Sequence, residues 1–208
     1  MLWRLLRRLG LARRRQPAQS HHNGRESAGR VRVRERTYHG RVHSLAHRNH
    51  TTESTQPRCK HDAARHTATI FVDQSPSEAF DAIRNVRGWW SEEITGNTAK
   101  IGDEFRYHYQ DLHKCTMKLV ELVPGKRVSW LVTDNFFSFT EDKSEWKNTK
   151  VVFDIAKNGD QTEIHFTHEG LVPEYKCYNV CSDAWGSYIR GSLKSLIATG
   201  KGSPNAKE

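Results

Sequence analysis

Aromatic side chains are spread so unevenly along this chain that they place its core before any secondary structure is considered. Of the 20 Phe, Tyr and Trp residues, only Trp3 and Tyr38 precede Thr67. Rings supply much of the area that a core buries. A chain of 208 residues has room for one domain or two small ones, and here a single folded domain is expected over residues 67–202. Charge divides at the same point. Residues 1–66 carry 16 Lys or Arg against 4 acids, net +12, whereas residues 67–208 carry 17 against 20, net −3, which together give the +9 of the whole chain. The basic character therefore belongs to an extension. A slightly acidic domain offers no basic stripe to a phosphate backbone, so nucleic acid is not expected as a partner.

Within the extension, residues 1–15 set Leu2, Trp3, Leu5, Leu6, Leu9 and Leu11 among arginines, with no acid before Glu26. That composition fits an organelle-targeting segment or a basic surface helix better than a secretory signal, whose apolar stretch is not interrupted by arginine. Residues 16–66 have almost nothing to bury and read as disordered, either as a natural extension or as text upstream of the true start. His21, His22, His43, His47 and His50 lie there without the spacing of a metal site. Residues 203–208 are expected as a short disordered tail. Cys59, Cys115, Cys177 and Cys181 are too few and too irregularly placed to staple the domain, which favours a reducing, cytoplasmic setting. No run approaches the roughly 20 apolar residues that span a bilayer.

The folded region opens with a strand around residues 66–72. Ser75-Pro76-Ser77-Glu78 then reads as a capping box with Pro at the first helical position. A helix carrying Ala79, Phe80 and Ile83 follows, and a short helical turn brings Val86, Trp89 and Trp90. From Asp103 the apolar period changes to two, with Phe105, Tyr107 and Tyr109 on one face. Residues 113–123 and 127–134 form further strands, the latter with Val128, Trp130 and Val132 on one side. Residues 136–147 read as an aromatic loop containing Phe136, Phe137, Phe139 and Trp146. Residues 149–156 and 161–168 form a hairpin about Asn158-Gly159-Asp160. Tyr178, Cys181, Trp185, Ile189, Ser192 or Leu193, and Leu196 recur at helical spacing, predicting a closing helix of roughly 25 residues, or roughly 37 Å. Gly186 and Gly191 weaken such a helix by about 1 kcal/mol each, so a close approach to the sheet or to a ligand is expected at both.

Several segments resemble the heat-shock protein 90 ATPase activator-like branch of the SRPBCC (START-like) superfamily. They are Arg87-Gly-Trp-Trp-Ser, Gly102-Asp-Glu-Phe-Arg-Tyr, Glu121-Leu-Val-Pro-Gly-Lys-Arg-Val-Ser-Trp, Glu145-Trp-Lys-Asn-Thr-Lys, Thr167-His-Glu-Gly-Leu-Val-Pro and Ala184-Trp-Gly-Ser-Tyr-Ile. The resemblance implies an α+β helix-grip fold. In it a curved antiparallel β-sheet wraps a long C-terminal helix, two short helices follow the first strand, and a space lies between sheet and helix. Where such sequences commonly carry Gly, this one has Asn148, which tolerates positive φ better than most residues. The superfamily spans ligand carriers, cyclases and co-chaperone domains, so the fold alone does not choose a function. The branch is named for co-chaperones that carry this domain as one of two, and only one such core is visible here.

The space between sheet and helix is expected to take a small apolar or aromatic ligand. Its candidate lining from the first helical turns and the sheet is Trp89, Trp90, Phe105, Tyr107, Tyr109, Met117 and Trp130. Phe153, Phe166 and His168 are added from the hairpin, and Trp185 and Tyr188 from the last helix. The same side chains would serve a densely filled core. His168 shares a strand face with Ile164 and Phe166 and points inward, while His165 points outward. A cyclase- or hydrolase-like enzyme would have only His168 with Tyr107 to use, and the chain is read as a binder rather than an enzyme. Cys177 and Cys181 share a helix face, but two further metal ligands are missing, so no metal and no cofactor are expected. Glu92, Glu93, Asp103 and Glu104 are adjacent acids of the surface, not a paired-carboxylate site. A third reading makes the domain a stress-response module that docks on a chaperone or another protein through the aromatic loop.

Overall fold

A computed structural model of the chain describes residues 65–207. The expectations for residues 1–64 lie outside the described residues. The first strand, β1 (Arg65–Val72), turns into helix α1 (Pro76–Arg84), and Ser75 caps that helix as the sequence requires. Glu78 N–H donates to Ser75 Oγ at 3.3 Å and Ser75 N–H to Glu78 Oε2 at 2.8 Å, so two donors at the helix start are satisfied reciprocally. The turn α2 (Val86–Trp89) follows, then β2 (Thr95–Gly96), β3 (Glu104–Tyr109), β4 (His113–Val123), β5 (Arg127–Phe137), β6 (Lys150–Asn158) and β7 (Gln161–Glu169).

The seven strands form one antiparallel sheet in the order β1-β7-β6-β5-β4-β3-β2. Strand order departs from chain order at one place only, where β1 closes against β7. Alternation sets the inner face: Phe105 and Tyr107 on β3, Met117 and Leu119 on β4, and Phe153 and Ile155 on β6 are all buried. Register aligns them, with Phe105 opposite Met117 and Phe153 opposite Phe166. The hairpin turn before β7 uses Gly159 at φ 59°.

β5 is longer than its sequence pattern indicated. Phe136 and Phe137, expected in the loop, continue the strand opposite Lys114 and His113. They alternate as strand residues do, Phe136 41% exposed and Phe137 1%. A register shift between Thr116 and Met117 interrupts the simple period of two just before them, which is why the pattern failed there.

The closing helix runs without a break through α3 (Tyr178–Ser187), a π-helical segment (Tyr188–Leu193) and α4 (Lys194–Thr199). Gly200, at φ 74°, ends it in the left-handed conformation. The close approach expected at Gly186 and Gly191 is absent. A Cβ on Gly186 would make only an ordinary contact with Arg190, and one on Gly191 would meet nothing within 4 Å. Tight approach occurs elsewhere, at Gly202, where a Cβ would come within 2.1 Å of the Gly88 carbonyl. Residues 203–207, expected as a loose tail, also lie on the domain: Ser203 N–H donates to Ser192 Oγ, and Asn205 bridges to Ser91. No helix among the described residues is long and apolar enough to cross a membrane.

Candidate functional site

Two groups of rings fill the space between helix and sheet. The inner group is closed: Trp89, Phe105, Met117, Trp130, Phe153 and Phe166 have no solvent exposure. Trp89, Trp130 and Trp90 lie roughly parallel with centroids 6.1–6.4 Å apart, and Phe153 meets Trp130 edge-on at 5.2 Å. These side chains pack against one another and do not line the recess formed by the outer group.

The outer group surrounds an apolar recess near the β3–β4 turn. Trp90, Tyr107, Tyr109, Trp185 and Tyr188 are the five expected lining residues found there. His113, Phe137, Phe139 and Trp146 join them from β4, β5 and the following loop, with Leu112 beside the turn and Val180, Cys181 and Ala184 from α3. The enclosed space is about 30 Å³, which accommodates roughly one water. His113 was missed although it shares strand parity with Cys115 and Met117 on β4. That alternation along β4 was the available signal, and the register shift on β5 hid only Phe137.

His168 is wholly buried and does not line the recess. Trp185 Nε1–H donates to its Nδ1 at 3.0 Å. Nε2 therefore carries the proton, donated to Thr149 Oγ1 at 2.9 Å, and Thr149 in turn donates to the Trp146 carbonyl at 2.5 Å. Both ring nitrogens are spent. Burial, reinforced by the neighbouring His66 and His113, lowers the imidazole pKa to about 3 and keeps it neutral. Such a histidine orients two tryptophans and has no free nitrogen with which to move a substrate proton.

Tyr107 ends in a separate network. Asn205 Nδ2–H donates to Tyr188 Oη at 2.8 Å and to Tyr107 Oη at 3.4 Å. Burial pushes the Tyr107 phenol well above its ordinary pKa and that of Tyr188 up to about 12. Both stay protonated. The two candidates for acid–base chemistry, His168 and Tyr107, thus share no hydrogen bond.

His113 contributes the other polar edge of the recess. Asn135 Nδ2 donates to the Lys143 carbonyl, so its Oδ1 is the acceptor facing His113 Nε2 at 3.1 Å. His113 therefore carries its proton on Nε2, and burial lowers its pKa to about 3. The Trp146 indole N–H points at the Cys181 sulfur, a weak acceptor, and finds no oxygen or nitrogen partner. It is a weakly satisfied donor on a ring that lines an apolar space.

Cys115, Cys177 and Cys181 are buried free thiols. Burial raises Cys181, and proximity to Cys177 raises it further, so the sulfur is held as a thiol and not as a thiolate ligand. Among the described residues no three His, Cys, Asp or Glu side chains gather to hold a metal. The surface acids have structural partners: Asp103 Oδ2 accepts from the Ala99 and Lys100 amides, and Glu93 pairs with His108 at 3.3 Å. Glu145 is buried, and its two carboxylate oxygens accept from Lys176 N–H at 2.8 Å and Cys177 N–H at 2.9 Å, capping the start of α3.

The model of the family "Activator of Hsp90 ATPase homolog 1-like protein" matches residues 75–198. The chain belongs to that family. Among solved structures, this Hsp90 ATPase activator homolog-like domain resembles the Aha1 dimer from Colwellia psychrerythraea at 22% identity and a TM-score of 0.54, over 67% of this chain and 99% of that one. DynU16, a protein of the dynemicin biosynthetic locus, aligns at 15% identity and a TM-score of 0.50, over 69% of this chain but only 51% of its own. A Staphylococcus saprophyticus protein aligns at 12% identity and a TM-score of 0.50, over 68% of this chain and 97% of its own. At these identities the structural likeness establishes the helix-grip fold. No curated protein shows significant similarity to the chain.

Proposed function

We propose that this Hsp90 ATPase activator homolog-like domain binds a small apolar or aromatic molecule in the recess between sheet and closing helix. The observation that carries the reading is an apolar recess lined by an indole, that of Trp146, whose N–H has only the weak Cys181 sulfur as acceptor. An aromatic molecule with one hydrogen-bond acceptor would stack on Trp185 or Trp90 and satisfy that donor. The loop aromatics support this use over a docking surface, because Phe137 and Trp146 are buried and Phe139 packs on the core. Binding sites for drug-sized molecules measure roughly 300–1,000 Å³, so the present recess would have to widen to take a ligand.

Native mass spectrometry of the full chain, purified without denaturant, tests the proposal. A retained small molecule, released on extraction and identified as apolar or aromatic, is the expected result. A clean unliganded mass that no member of an aromatic library shifts would sink it.

A further inference from the structure

Parting the closing helix from β3 would widen the recess, and one side chain spans that seam. Asn205 Nδ2 donates to Tyr188 Oη on the helix at 2.8 Å and to Tyr107 Oη on the sheet at 3.4 Å. Its backbone N–H donates to the Trp90 carbonyl at 2.9 Å, and its carbonyl accepts from Glu92 N–H at 2.9 Å. Trp90, Tyr107 and Tyr188, three walls of the recess, therefore meet at one asparagine. The segment that carries it is neither helix nor strand beyond its bridge to Ser91. It is seated by Ser203 N–H on Ser192 Oγ at 2.7 Å and by the tight approach of Gly202 to Gly88.

We infer that Asn205 is a clasp whose release lets the Tyr188 turn move off β3 and opens the recess. The helix is the side able to move. Tyr107 is held in the sheet ladder opposite Cys115, which itself pairs with Asn135. Tyr188, by contrast, begins a π-helical segment, a geometry common at functional sites. Gly191 within that segment has open space on its side-chain face. The clasp serves the ligand reading proposed above, but its test needs no ligand.

Cys181 lines the recess and is 5% exposed, so its alkylation by N-ethylmaleimide in the full chain reports opening. Cys115, buried in the sheet, is the internal reference. Two variants act on the clasp independently: Asn205→Ala removes the bridging amide, and Gly202→Ala lifts the segment off the Gly88 carbonyl. Each is expected to raise the ratio of Cys181 to Cys115 alkylation, read by peptide mass spectrometry, by about tenfold, the scale of one or two lost hydrogen bonds. The Glu92 and Asn205 amides of the unaltered protein are expected to exchange faster than that of Trp130. An unchanged ratio in both variants overturns the clasp, as does exchange of those amides only at the rate of Trp130. Titration with the neutral naphthalene ketone prodan separates the two ideas. Tighter binding by the variants supports both, whereas a raised ratio with neither prodan nor any member of the aromatic library bound by any of the three proteins supports the clasp and removes the ligand reading.

Discussion

Trp185 and His168 are joined by a buried hydrogen bond of 3.0 Å in which the indole is the donor and imidazole Nδ1 the acceptor. The bond fixes the tautomer, and the tautomer fixes the use of Thr149. Trp185→Phe would leave Nδ1 buried without a donor and is expected to cost about 1–3 kcal/mol beyond its packing loss. Denaturant unfolding measures the cost, and imidazole ¹⁵N shifts are expected to report the Nε2-protonated form in the unaltered protein. Shifts of a charged ring near neutral pH would refute the assignment.

Acid should unfold this domain early. His113 and His168 are both held at about 3 against an ordinary value of 6.5, chiefly by burial. The folded state binds fewer protons, so the stability they contribute is full above 6.5 and is lost as pH falls toward 3. For the pair, the loss is about 4 kcal/mol between about pH 7.5 and about pH 5. His113→Gln removes one of the two titrations and should halve the fall in unfolding free energy over that interval. An unchanged slope would show that His113 is not the group responsible.

Glu145 ties the loop after β5 to the start of α3 through two backbone amides. Glu145→Gln keeps the size but turns an amide NH₂ toward an N–H, and is expected to cost about 1–3 kcal/mol. Hydrogen exchange at Lys176 and Cys177 should quicken more than exchange in β6. Uniform quickening throughout the domain would instead point to general destabilisation.

Asn148 sits at φ 67° between Trp146 and β6. Asn148→Gly should be neutral or slightly stabilising, whereas Asn148→Val should cost about 1–3 kcal/mol because a β-branched residue is strained there. Melting temperatures of the two variants check this, and equal effects would remove the strain argument.

Local chemistry explains what the sequence made visible. The Ser75–Glu78 box, the alternation of Phe105 with Tyr107, and the tolerance of Asn148 for positive φ all depend on residues close in the chain. The recess depends on distant ones. Trp146 enters it through a loop whose course is held by Glu145, Phe137 through a strand whose period is broken by a register shift, and Asn205 reaches its Tyr107 and Tyr188 walls from a segment with no periodicity at all. Cavity candidates such as Trp130 and Phe153 could not be told from core, because a buried ring has the same alternation whether it faces a void or another ring.

The π-helical segment has a consequence for how this chain tolerates change in length. A π turn holds one residue more than the α-helix it interrupts, so excising a single residue between Tyr188 and Leu193 would let the helix close into regular α form. Because the π turn absorbs that surplus residue, the two flanking α segments would keep nearly the same relative orientation after the cut. At 100° per residue the steps left between Trp185 and Ile197, both buried in the core, would bring them to within about 20° of each other, so they would still share a face. A one-residue deletion here should therefore be tolerated better than one within α3 or α4, where no surplus residue absorbs it.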